Sequence, residues 1–165
     1  MRIAVTALAA AALAMSITAT AYAQDQSSSS AASSASSSDS ASGPAYTPAD
    51  ETAGKGGDIA AIRRTLQHYL DAKDFRTAAI WARLGAERDD TACQIALATL
   101  LSGTDLGTPD LVHAYMWVDI AFAKHDPALG DAAEALRDDI RHRMDVDQML
   151  DAKAAEGKWR ASHKH

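Results

Sequence analysis

The chain has 165 residues, 47% of them apolar, a formal net charge of −6 and a single cysteine. The acidic balance argues against bulk electrostatic binding to nucleic acid or anionic lipid. One cysteine excludes an intramolecular disulfide and a cysteine-paired structural zinc site.

Met1 and Arg2 are followed by an Ala/Leu/Ile/Val-rich run to about Ala19 and then by Ala21-Tyr22-Ala23. A positive start, a short apolar run and an A-x-A site are the parts of a secretory signal peptide. Cleavage is expected after Ala23. The run is short and rich in Ala, so no stable membrane anchor is expected after cleavage. The mature product is expected to be periplasmic or secreted.

Ser27 to Ser42 is nearly all Ser and Ala, and Gly43, Pro44, Pro48, Gly54, Gly56 and Gly57 follow. Such a composition buries too little apolar surface to offset its ordering entropy. Residues 24–57 therefore read as a disordered Ser/Ala/Gly-rich linker, with Gly54-Lys55-Gly56-Gly57 as a hinge rather than a phosphate loop. Setting aside Arg2 and the linker charges Asp25, Asp39, Asp50, Glu51 and Lys55 leaves −4 for residues 58–165.

From Asp58 the apolar spacing becomes helical, and scarce Gly and Pro with abundant Ala favour an all-α domain. Asp58 is a suitable N-cap for a helix carrying Ile59, Ile62, Leu66, Tyr69 and Leu70. After a break at 71–74, a second helix carries Phe75, Ala78, Trp81 and Leu84 and stops near Asp90. A third spans Thr91 to Ser102. Residues 103–108 form a loop, and Pro109 opens a fourth helix that ends near His125-Asp126. A fifth covers about Leu129 to Met144. Asp145 caps a sixth that runs to about Ala161, with Trp159 docking it onto the rest. Cys93 reads as a small buried side chain.

The sequence repeats at an offset of 36 residues. Asp74 matches Asp110, Phe75 matches Leu111 and Ala78 matches Ala114; Trp81 matches Trp117, Gly85 matches Ala121 and Asp90 matches Asp126. A period of this length points to stacked helix pairs, because one pair cannot bury its own apolar face. Ala78 and Ala114 allow close helix approach, and Trp81 and Trp117 read as core residues between layers.

The segment Asp74–Asp126 resembles the Sel-one-like repeat, a relative of the tetratricopeptide repeat. Thr91-Ala92-Cys93-Gln94 with Leu97-Ala98 stand for the first part of the family pattern, and Asp110, Ala114, Trp117 and Ala121 for the second. Asp74, Ala78, Trp81 and Ala86 repeat that second part upstream. The usual G-x-G loop is here the spaced pair Gly103 and Gly107. The resemblance implies a short right-handed α/α solenoid of about three antiparallel helix pairs, about 58–90, 91–126 and 127–161. By the same analogy a concave groove draws on Arg63, Gln67, Ile95, Thr99 and Ser102.

No G-x-S-x-G, H-E-x-x-H, Walker A or S-x-x-K motif occurs. Asp138, Asp139 and His142 share a helix face but read as a solvated, paired surface rather than a metal site. No metal or cofactor is expected. The resemblance implies a non-catalytic adaptor or scaffold of the bacterial envelope that binds a peptide or protein in a short groove. Two further readings are a cell-wall or β-lactam-related hydrolase, and a structural or stress-associated envelope protein without a discrete ligand.

Overall fold

Periodic apolar residues and aspartate caps set the elements in the computed structural model, which describes residues 45–163. The signal-peptide segment and the linker up to residue 44 lie outside the described residues. Seven helices follow one another: α1 (Pro48–Lys55), α2 (Ile59–Asp71), α3 (Phe75–Ala86), α4 (Thr91–Ser102), α5 (Leu111–Phe122), α6 (Gly130–His142) and α7 (Val146–Ser162). The fold is all-α, and consecutive helices from α1 to α6 pack against one another. No helix among the described residues is long and apolar enough to cross a membrane.

Five helices start in the same way. The carboxylates of Asp58, Asp74, Asp90, Asp110 and Asp145 each accept the backbone N–H three residues on. Each cap satisfies a donor that the helix itself leaves orphaned, typically worth about 1 kcal/mol. Asp110, not Pro109, is the start of α5. Its carboxylate takes the His113 N–H, and its own N–H bonds to Leu101 O at 2.8 Å, which leaves Pro109 just outside the helix.

The internal repeat extends to the backbone. α3 and α5 have the same length and lie 36 residues apart. Asp89 and His125, also 36 apart, take left-handed φ values of 62° and 51° in the turns that end them. α2 and α4 match at a shorter offset. Their caps Asp58 and Asp90 are 32 residues apart, and buried Ala61, Ile62, Thr65 and Leu66 correspond to buried Cys93, Gln94, Leu97 and Ala98. The longer connection Gly103–Asp110 accounts for the difference between the two offsets.

The core runs through the stack. Ile62, Leu97, Val118, Ile120 and Ile140 are at most 1% exposed, each contributing about 1.5–3 kcal/mol by burial. Ala78 and Ala114 are fully buried, and Trp81 and Trp117 are nearly so. Gly85 faces Cys93, where an added Cβ would stand 2.3 Å from Cys93 Sγ and 2.7 Å from its Cβ. Only a residue without a side chain lets α3 and α4 approach this closely.

Two features depart from the sequence reading. Residues 48–55, assigned to the linker, form α1. Pro48 is its first residue, and the Asp50 carboxylate accepts both the N–H and the hydroxyl of Thr47 at 2.7 and 3.0 Å. Of the segment read as a hinge, Gly54 and Lys55 belong to α1, and Gly56–Gly57 make a hydrogen-bonded turn into α2. The second departure concerns the last pair. α7 packs chiefly on α5, with few close approaches to α6. The edge of Trp159 meets Trp117, ring centroids 5.6 Å apart at 71°. An aromatic contact of this geometry adds about 0.5–1.5 kcal/mol to the burial, which draws α7 onto α5.

Candidate functional site

The five residues expected to line a groove do not form one shared open surface. Arg63 reaches from α2 to the start of α4, where its Nε lies 3.1 Å from both oxygens of Asp90. Asp90 also caps α4 and is buried. Burial alone would raise its carboxyl, but the hydrogen bonds from Arg63 and the Cys93 N–H outweigh that and hold it below the usual carboxylate range. Arg63 is thus engaged in holding two helices together. Ser102 is buried, and its carbonyl accepts Arg143 Nη2 at 2.6 Å. Gln67 and Thr99 are exposed but turned to their own helices: Gln67 donates to Asp71 at 2.7 Å, and Thr99 Oγ1 donates to Ile95 O at 2.9 Å. Ile95 is half-buried against the core.

Three concavities lie on and between α3, α5 and α7. A cleft of about 670 Å³ is floored by Val112, Met116 and Trp117 of α5. Its walls are Arg83 of α3, Glu87 just past the end of α3, and Asp151, Ala154 and Lys158 of α7. A second cleft of about 720 Å³ shares Glu87, Trp159 and His163 with the first and continues toward Lys124 and Arg160. A third, about 330 Å³ and mainly apolar, lies along α3 at Ile80, Trp81 and Leu84 and shares Arg83 and Glu87 with the first.

α7 is fixed beside this surface by charge as well as by Trp159. Lys153 Nζ lies 2.5 Å from Asp119 of α5 and 3.1 Å from Glu156, and sits 5.7 Å from the Tyr115 ring. Arg160 holds the other oxygen of Glu156 at 2.8 Å. Burial pushes Glu156 upward, and these two cations more than offset it, so its carboxyl lies below the ordinary value. Lys124, at the end of α5, spans to Asp89 at the end of α3. The His163 ring stacks on Trp159 at 4.4 Å and 17°. The buried indole nitrogens of Trp117 and Trp159 have no hydrogen-bond partner among the described residues. By contrast Arg83, Glu87, Asp151 and Lys158 make no ion pair among the described residues. Opposite charges over an apolar floor, not committed to internal pairs, suit recognition of a polypeptide.

A separate polar cluster holds α1. The Glu51 carboxylate accepts the hydroxyls of Tyr46 and Tyr69 at 3.0 and 2.7 Å. The Tyr46 ring stacks on His68 at 3.9 Å, and Asp50 pairs with Arg64. The Arg64 hydrogen bond, with help from Thr47, pulls the Asp50 carboxyl down to about 2. The Tyr69 hydroxyl, bonded to Glu51, is pushed up to about 12. α1 covers Trp81 and Ile62 through Gly54, where a Cβ would meet Trp81 Cζ3 at 2.9 Å.

Cys93 is free and buried, and burial raises its thiol well above the ordinary value. Among the described residues no cluster of three or more His, Cys, Asp or Glu is placed to hold a metal ion. Asp139 instead pairs with Arg143 at 3.2 Å, and His142 Nδ1 bonds to Asp138 O at 2.6 Å. The sequence reading missed the α3/α5/α7 surface. Its one available signal was Ile80, a large apolar residue on the polar side of α3. Comparison with protein-family models, curated proteins and solved structures finds no match to this chain.

Proposed function

We propose that residues 58–165 are a short Sel-one-like α/α solenoid that acts by binding a peptide or protein, as an exported adaptor or scaffold of the bacterial envelope. The 36-residue correspondence, carried into caps, burial and turn conformations, supports the repeat reading. The leader Met1–Ala23 supports export.

The observation that carries the binding role is the cleft over α5. It combines an apolar floor with charged walls whose Arg83, Glu87, Asp151 and Lys158 make no ion pair among the described residues. This matches the general make-up of peptide grooves, in which apolar burial gives affinity and a polar rim gives selectivity. Binding is accordingly assigned to the α3/α5/α7 surface rather than to α2 and α4.

Capture of envelope proteins on the immobilised chain tests this, with substitutions on each surface. Glu87→Lys and Lys158→Glu should each remove the captured partner, while Gln67→Ala and Thr99→Ala should not. The reverse pattern would return the site to α2 and α4. Turnover of muropeptides or a chromogenic β-lactam by the purified protein would overturn the non-catalytic reading.

A further inference from the structure

The repeat compares two faces that one chain treats differently. Of the five positions buried in α3, Ala78, Trp81, Ala82 and Gly85 have buried equivalents in α5 at Ala114, Trp117, Val118 and Ala121, and Ala86 corresponds to the half-buried Phe122. α5 buries three more residues, Tyr115, Met116 and Ile120. Their equivalents 36 residues earlier are Ala79, Ile80 and Leu84. Of these Ile80 is 67% exposed, while Ala79 and Leu84 are half-buried.

The cause of the difference is α7. On α5 this helix lays Lys153 against Tyr115 and Asp119, and Trp159 against Trp117, and it walls the clefts that reach Met116 and Ile120. Among the described residues only the end of α1 reaches the corresponding place on α3, where Gly54 lies against Trp81 and Lys55 Nζ sits 5.9 Å from its ring centroid, and Ile80 is left exposed. A mainly apolar cleft of about 330 Å³ lies there, lined by Ile80, Trp81 and Leu84 and bordered by the charges of Lys55, Arg83 and Glu87.

The charges at equivalent positions differ in a way that specifies the occupant. Asp119, which holds Lys153 of α7, corresponds to Arg83, which is exposed. Arg83 stands between the apolar cleft and the larger one over α5 and lines both. A helix seated on α3 as α7 is seated on α5 therefore meets a cation where α7 meets a carboxylate. It needs an acidic residue where α7 has Lys153, on the same face as its apolar residues.

We propose that the Ile80–Leu84 face of α3 is the docking site for an amphipathic helix of a partner protein, α7-like in its apolar face and carrying an acidic residue opposite Arg83. This rests on the reading of the domain as a binding module and names the chemistry of its partner. Helix-in-groove recognition of this kind uses anchors spaced three, four and seven residues apart, as Met149, Ala152, Ala155 and Trp159 are spaced on the side of α7 turned to the core.

The test uses a labelled synthetic peptide with the sequence of Val146–Ser162 carrying Lys153→Glu, titrated with the full chain by fluorescence anisotropy. Saturable binding is expected. It should weaken at least about tenfold with Ile80→Asp, about 1.4 kcal/mol, and similarly with Arg83→Glu. The Arg83→Glu chain should in turn prefer the peptide with the native Lys153. Both side chains are exposed, and circular dichroism of the variants checks that they fold. Absence of saturable binding overturns the proposal, as does binding that neither variant weakens. Self-association of the chain that Ile80→Asp abolishes makes a second copy the occupant and also overturns it. In each of those cases, an envelope partner still lost on Glu87→Lys or Lys158→Glu leaves the binding-module reading standing.

Discussion

Trp117→Ala probes the packing on which the stack depends. Trp117 is 3% exposed, lies in the middle of α5 and meets the edge of Trp159 at 5.6 Å. Truncating a buried Trp to Ala typically costs about 3–5 kcal/mol. Loss of the paired-ring contact, about 0.5–1.5 kcal/mol, places the cost near the upper end of that range. One term works the other way. The buried Trp117 Nε1 has no hydrogen-bond partner among the described residues, and removing an unsatisfied donor recovers about 1–3 kcal/mol. The expected net loss is about 3 kcal/mol. Trp117→Phe keeps most of the ring while deleting the orphaned N–H, so it should cost about 1 kcal/mol or less. Urea denaturation followed by far-UV circular dichroism measures both. A loss below about 1 kcal/mol for Trp117→Ala would refute the packing register. A loss for Trp117→Phe as large as that for Trp117→Ala would show that the indole nitrogen has a partner after all.

Gly85→Ala should destabilise the protein by about 2 kcal/mol in the same assay, because overpacking costs about 1–3 kcal/mol and the Cβ would collide with Cys93. A neutral result would mean that α3 and α4 lie further apart than described. Lys73→Gly should stabilise by about 0.5–1 kcal/mol, since Lys73 holds a left-handed φ of 58° that suits Gly; a lower urea midpoint would contradict this. The depressed Asp50 carboxyl gives α1 an acid dependence. The Arg64 and Thr47 hydrogen bonds stabilise α1 fully above the ordinary value of 3.8, and that stabilisation is lost as pH falls toward about 2. NMR signals of residues 48–55 should therefore lose helical shifts across that window before those of α4 do, and simultaneous loss would show that α1 is not held by this pair.

Much of the helical domain was legible because its signals are local. Asp58 and Asp145 announce their helices within three residues, and the Trp81–Trp117 spacing reveals the repeat without any knowledge of contacts. α1 was not legible as a packed element. It contains no apolar residue larger than Ala, and what anchors it, Arg64 to Asp50 and Tyr69 to Glu51, joins residues 14 and 18 apart. A local cue was nonetheless present, since Thr47-Pro48-Ala49-Asp50 is a helix start inside a segment whose composition reads as linker.

The site was harder to read. Arg63 and Ser102 sit on the expected helices, but their partners, Asp90 and Arg143, lie 27 and 41 residues away. Pattern alone does not show that these two are internal struts. The place of α7 depends on Trp159 meeting Trp117, a tertiary contact outside the repeat unit. That contact covers one helix face, leaves its equivalent on α3 open and forms the wall of the main cleft. Assigning the groove by analogy to α2 and α4 therefore named a different surface from the one with the depth and the uncommitted charges.

The proposed function stands on binding at the α3/α5/α7 surface. Site-specific photo-crosslinking in intact cells that make the protein tests it most directly, with the crosslinking residue placed in turn at Ile80, Lys158, Gln67 and Thr99 and the products identified by mass spectrometry. One common partner is expected to crosslink from Ile80 and Lys158, and none from Gln67 or Thr99. Crosslinks from Gln67 and Thr99 alone, or none from any of the four positions, would contradict it.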